Sequence, residues 1–80
     1  MRTTLRATQL ISQGRNIFYP YSGLRITSLK EGGFGILAVR PGGPDLLIGK
    51  YSDQWRAINI CEEIMYAVSE GRERYWLPRD

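Results

Sequence analysis

Across residues 23–51 the apolar positions fall into three short runs, separated by breaks rich in glycine and proline. Leu24 and Ile26 alternate with Arg25 and Thr27, a period of two that predicts a strand with one covered face. Glu31-Gly32-Gly33 follows as a tight reversal, because glycine tolerates the positive φ such turns require. The next run places Phe34, Ile36 and Ala38 on one face and Leu37 and Val39 on the other. Apolar residues on both faces predict a central strand covered on both sides. Pro41-Gly42-Gly43-Pro44 turns the chain again, and residues 46–51 return. The pattern predicts an antiparallel meander. Upstream, residues 3–11 suit a first strand ending at Ser12-Gln13-Gly14, and residues 16–19 form a short aromatic segment stopped by Pro20.

Beyond Tyr51 the period changes. Ala57, Ile58, Cys61, Ile64, Met65 and Val68 recur at three- and four-residue spacing, the stripe of a helix that packs on a sheet. Ser52 is a suitable N-cap, Asp53 puts negative charge at the positive end of the helix dipole, and Gly71 stands where a C′ glycine ends a helix. The helix is expected over residues 52–70. Trp55 and Tyr66 lie on its opposite side, which suits either a second contact surface or a Trp55 that folds over the sheet edge in the first turn. Residues 73–77 then supply a last strand, closed by Pro78. The fold class expected is α+β: one domain spanning residues 1–80, an antiparallel meander of four to five short strands with one long helix across one face.

A chain of 80 residues buries only about 60% of its unfolded surface, which leaves little stability in reserve. Small domains add disulfides, a metal or a second subunit. Here Cys61 is the sole cysteine and histidine is absent, which removes disulfides and a zinc site from consideration. A homo-oligomer is therefore expected. Its C-terminal Tyr75-Trp76-Leu77 is the predicted interface, since an exposed edge carrying rings needs cover. A lone thiol suits a reducing, cytoplasmic setting. No run of 18 apolar residues suggests a membrane span.

The same composition argues against catalysis. Without histidine there is no imidazole base and no Ser-His or Cys-His pair. Glu62 and Glu63 are adjacent on the helix, so their carboxylates diverge by about 100°. Gly32-Gly33-Phe34-Gly35 lacks the following Lys-Ser/Thr of a phosphate loop and reads as a turn. No enzyme, cofactor or metal is expected.

Binding is another matter. The net charge is +3, and nine of the eleven basic residues are arginine, whose planar fork grips phosphate and stacks on rings. Arginine and large rings cluster twice, in residues 15–21 and 72–79. Arg15, Tyr19, Tyr21, Arg72, Arg74 and Trp76 are the candidate ligand contacts, a combination used for nucleotides and for protein partners alike. With eight acidic residues also present, direct binding to a nucleic acid strand is the weakest of these readings.

Ile11-Ser12-Gln13, Pro20-Tyr21, Gly49-Lys50-Tyr51-Ser52 leading into a helix with Ala57, and Leu77-Pro78 after the Gly71 turn together resemble a pattern of small, uncharacterised phage and prophage accessory proteins. The resemblance implies an anti-defence role: sequestering a small nucleotide immune signal or occupying a host defence complex such as a CRISPR effector. It carries over no functional residue. The chain departs from the pattern in its arginine content and in Pro41-Gly42-Gly43-Pro44.

Overall fold

The computed structural model describes residues 8–18 and 21–80. The chain runs β1 (Gln9–Ile11), β2 (Ile17–Phe18), β3 (Gly23–Ser28), β4 (Phe34–Val39), β5 (Leu46–Tyr51), α1 (Gln54–Ser69) and β6 (Arg74–Trp76). The class is α+β, with the helix packed against a sheet. Residues 3–7 of the expected first strand lie outside the described residues.

The meander forms as its turns predict. β3, β4 and β5 pair antiparallel in chain order, with Ile26 opposite Ile36 and Leu37 opposite Leu47. At the first turn Gly32 and Gly33 have φ of +104° and +82°. Gly33 is doubly constrained, because a Cβ there would stand 2.8 Å from the Tyr51 carbonyl oxygen. β4 is the central strand. Ile36 and Ala38 are buried beneath the helix, while Leu37 and Val39 on the far face are only half-buried. The double cover expected of β4 is thus a single cover, since no second layer lies on that face among the described residues.

The remaining strands do not extend the meander. They form a second small sheet in the order β2-β1-β6. β1 pairs antiparallel with β2 and parallel with β6, where Ile11 meets Trp76. The pairing is extended by Gln9 N–H to Glu73 O (3.0 Å) and Leu77 N–H to Ile11 O (2.9 Å). The buried Thr8 hydroxyl donates to Arg72 O at 2.7 Å. A parallel partner reached across the whole meander and helix leaves no local mark in sequence.

Gln13 joins the two sheets. A register shift in β5 between the pairs at Ile36 and Leu37 turns the Ile48 carbonyl outward, and it accepts from Gln13 N–H at 3.0 Å. The Gln13 side chain accepts from Lys50 N–H (2.7 Å) and donates to Lys50 O (3.2 Å) and Pro78 O (3.0 Å). It behaves as a one-residue strand along the edge of β5. Tyr51 completes the seam, its hydroxyl donating to Pro78 O at 2.7 Å.

The helix is capped by Asp53, whose carboxylate accepts from Trp55 N–H at 3.2 Å. This corrects the assignment of the cap to Ser52, whose own N–H is taken by Asp80 Oδ2 at 2.8 Å. At the other end Gly71 has φ +71°, with Gly71 N–H to Val68 O and Arg72 N–H to Ala67 O, both 3.0 Å. That is the paired bonding of a Schellman motif.

The buried stripe also differs from the expected one. Ala57, Ile60, Ile64 and Ala67 face the core, together with Leu10, Ile36, Ile48, Tyr51 and Leu77. Cys61 is half-buried, while Met65 and Val68 are 65% and 43% exposed. Two overlapping apolar stripes run along α1, and the sheet takes the one containing Ile60. Leu77 is 2% exposed within the core, and Tyr75 packs against it. The C-terminal segment is thus a part of the folded chain, and of the predicted interface residues only Trp76 faces out.

Candidate functional site

A four-residue turn builds the first candidate site. Ser12 N–H bonds Asn16 O and Arg15 N–H bonds Ser12 O, both at 2.9 Å. Asn16 N–H reaches the Ser12 hydroxyl at 3.1 Å. This closure holds Arg15 at φ +68°, the sole positive φ at a non-glycine position among the described residues. Such a backbone costs about 1–3 kcal/mol and persists where its surroundings enforce it. The guanidinium then lies over the Trp76 ring, 5.5 Å from its centroid, within cation–π range.

Trp76 is 57% exposed. Residues alternate along β6, so Arg74 shares its face, about 6–7 Å away along the strand. Arg74 Nε donates to the Gln9 side chain at 3.2 Å, which sets the arginine against the neighbouring strand. Among the described residues neither Arg15 nor Arg74 forms an ion pair. Arg25, Lys50 and Arg72 do, with Asp45 (3.2 Å), Glu31 (3.4 Å) and Glu70 (3.2 Å).

Of the six candidate contacts, the structure gathers Arg15, Arg74 and Trp76 on the outer face of the small sheet. Arg72 stands apart with Glu70, beside a polar groove lined by Arg56, Glu63, Tyr66 and Tyr75. Tyr21 lies at a different groove between α1 and β3, its hydroxyl pKa raised by burial. Tyr19 lies outside the described residues. Gln9, which orients Arg74, was not signalled by the sequence, since its role depends on the parallel pairing.

The second groove has a volume of ≈ 630 Å³ and is lined by Tyr21, Leu24, Ile26, Cys61, Met65 and Val68, among others, with no charged side chain among the described residues. Here the outer apolar stripe of α1 finds its surroundings. The signal for it lay in the helix sequence, which carries more apolar residues than one buried stripe requires.

Two titratable side chains are held toward their protonated forms. Burial pushes the Cys61 thiol above its usual value, which disfavours the reactive thiolate. Tyr75 donates to Glu63 Oε1 at 2.6 Å; burial first, and then this carboxylate, raise its pKa well beyond that of an ordinary tyrosine. Among the described residues no cluster of acidic or sulfur side chains suits a metal, and no helix is long and apolar enough to cross a membrane. Compared with known proteins, the chain matches no family model, no curated protein and no solved structure.

Proposed function

We propose that this chain is a non-catalytic binding module whose ligand is a small nucleotide, taken on the Arg15–Trp76–Arg74 face. One observation carries the reading: two arginines that form no ion pair among the described residues stand beside an exposed indole on a single face. A base stacks on the ring, and the guanidinium forks take the phosphates bidentately. The resemblance to phage accessory proteins gives this chemistry a setting, the sequestration of a nucleotide immune signal in the host cytoplasm. Calorimetry against cyclic di- and oligonucleotides and ADP-ribose derivatives tests it. Trp76→Ala is expected to weaken binding at least about fivefold, since stacking on an aromatic side chain contributes about 1–3 kcal/mol per base. Absence of heat with every member of the panel overturns the proposal.

A second reading is favoured by a different surface. Trp55 and Tyr66 are 68% and 59% exposed on the outer side of α1, a composition that suits the centre of a protein interface. It corresponds to an inhibitor or adaptor that occupies a defence complex. Pulldown from host lysate with wild type and with Trp55→Ala and Tyr66→Ala distinguishes it. A partner retained equally by all three proteins counts against this surface.

A further inference from the structure

The two outer edges of the meander are finished differently. Along β5, the outward-facing groups of Ile48 and Lys50 are met by Gln13. Along β3, the Leu29 N–H bond to Gly33 O at 3.0 Å fixes the alternation. Residues 25 and 27 turn their backbone toward β4, while Leu24, Ile26 and Ser28 turn theirs away. Among the described residues no strand other than β4 lies beside β3. Among the described residues the one bond to those outward groups is a 3.3 Å contact from the Thr27 hydroxyl to Ser28 O. The uncharged groove opens beside this same edge, because α1 packs more on β4 and β5 than on β3.

We infer that β3 pairs antiparallel with β3 of a second copy, joining two meanders into one six-stranded sheet with both helices on the same face. Charge favours a second copy as the occupant. In an isologous contact every side chain near the axis meets its own kind, so a charged lining would repel itself, and among the described residues this lining carries no charge. A two-fold axis at Ile26 pairs Leu24 with Ser28 of the other copy. On the opposite face it sets Arg25 across from Thr27. Arg25 is already neutralised by Asp45 at 3.2 Å. Centring the axis on Arg25 instead would place two arginines directly opposite, which is unfavourable in a sheet. The outward stripe of α1 then has a purpose: Met65 and Val68 of each copy close the groove against those of the other. The inference is independent of the nucleotide reading and survives its failure.

Sedimentation velocity of the full chain tests it. At about 100 μM, a concentration that populates even a modest dimer by mass action, wild type is expected to sediment as a dimer. Met65→Lys places a charge in the groove at a position already exposed in the single chain. Ser28→Pro removes an outward N–H that β4 does not use, a substitution edge strands accept. Each is expected to raise the dissociation constant at least about tenfold with unchanged circular dichroism. If Met65→Lys disturbs the fold, Ser28→Pro decides alone. A monomeric wild type at that concentration, or a wild-type dimer whose dissociation constant Ser28→Pro leaves unchanged, overturns the inference.

Discussion

The seam where β5 meets Gln13 and the chain's tail contrasts with the open side where β3 borders the apolar groove. Both are strand edges flanked by apolar side chains. At the seam the chain supplies its own cover: a glutamine amide bonds the backbone groups of Lys50, Tyr51 bonds Pro78, and Leu77 fills the core behind them. At the open side the same kinds of group are left outward, beside Met65 and Val68. Backbone donors and acceptors need partners when water is excluded. The seam is therefore finished within one chain, while the outward groups of the open side are left to water in the single chain.

The contrast is broken most directly on the helix. Ile60→Ala removes a side chain that faces the core and is expected to cost about 2–5 kcal/mol, the range of large-to-small truncations in cores. Met65→Ala, five residues on but on the open side, is expected to change the stability of the single chain by less than about 0.5 kcal/mol, as a surface site does. Urea unfolding of both variants at low protein concentration checks the pair. Equal costs would mean that the two stripes have been separated wrongly.

Gln13→Ala attacks the seam without touching the apolar core. Three side-chain hydrogen bonds disappear, each contributing about 0.5–1.5 kcal/mol, and water reaches part of the vacated edge. A loss of about 2 kcal/mol is expected by urea unfolding, with an unchanged m-value. A loss below about 0.5 kcal/mol would show that the amide follows the seam rather than holding it.

Alkaline pH sharpens the comparison from another side. Tyr75, Tyr51, Tyr21 and Cys61 all have pKa values raised, in each case first by burial. A raised folded-state pKa contributes stability that is fully present below the unfolded value and is lost as pH rises through the folded one. With unfolded values of about 8.5 for cysteine and about 10 for tyrosine, stability should hold to about pH 8 and decline above it, most steeply beyond about pH 10. Glu63→Gln removes the carboxylate that, after burial, helps raise Tyr75. Its alkaline decline should be shallower, and a spectrophotometric titration should show one tyrosine ionising earlier. An unchanged titration curve would separate Tyr75 from Glu63 in solution.

The seam and the open side were not equally legible in the sequence. The meander was readable because its turns are local: two glycines at positive φ and a proline-flanked pair mark where strands end. The helix and its closing glycine were readable for the same reason. The small sheet was not, since β1 and β6 meet across nearly the whole chain and three-residue strands carry almost no period. The helix face was readable only as a choice between overlapping stripes; Ile60 and Ile64 differ from Met65 in where the sheet lies, not in hydropathy. Of the candidate contacts, Arg74 and Trp76 share a face because strand alternation puts residues two apart on one side. Arg15 joins them through a backbone conformation that no pattern of residue types announces.

A small stability effect is expected at that position, and it separates binding from folding. Arg15→Gly removes the guanidinium from Trp76, which costs about 0.5–1 kcal/mol as an exposed cation–π pair. It also relieves the positive φ, a saving of about 1–2 kcal/mol relative to a residue with a Cβ. Glycine's greater freedom in the unfolded chain offsets part of that relief. The three contributions nearly cancel, and the melting temperature should move by no more than a few degrees. If the turn exists to place a cation beside the indole, the variant should nevertheless lose nucleotide affinity at least about tenfold, the size of one charge-assisted contact. Binding that persists in a stable Arg15→Gly protein would reduce the strained turn to a connection between β1 and β2 and leave Arg74 and Trp76 as the site.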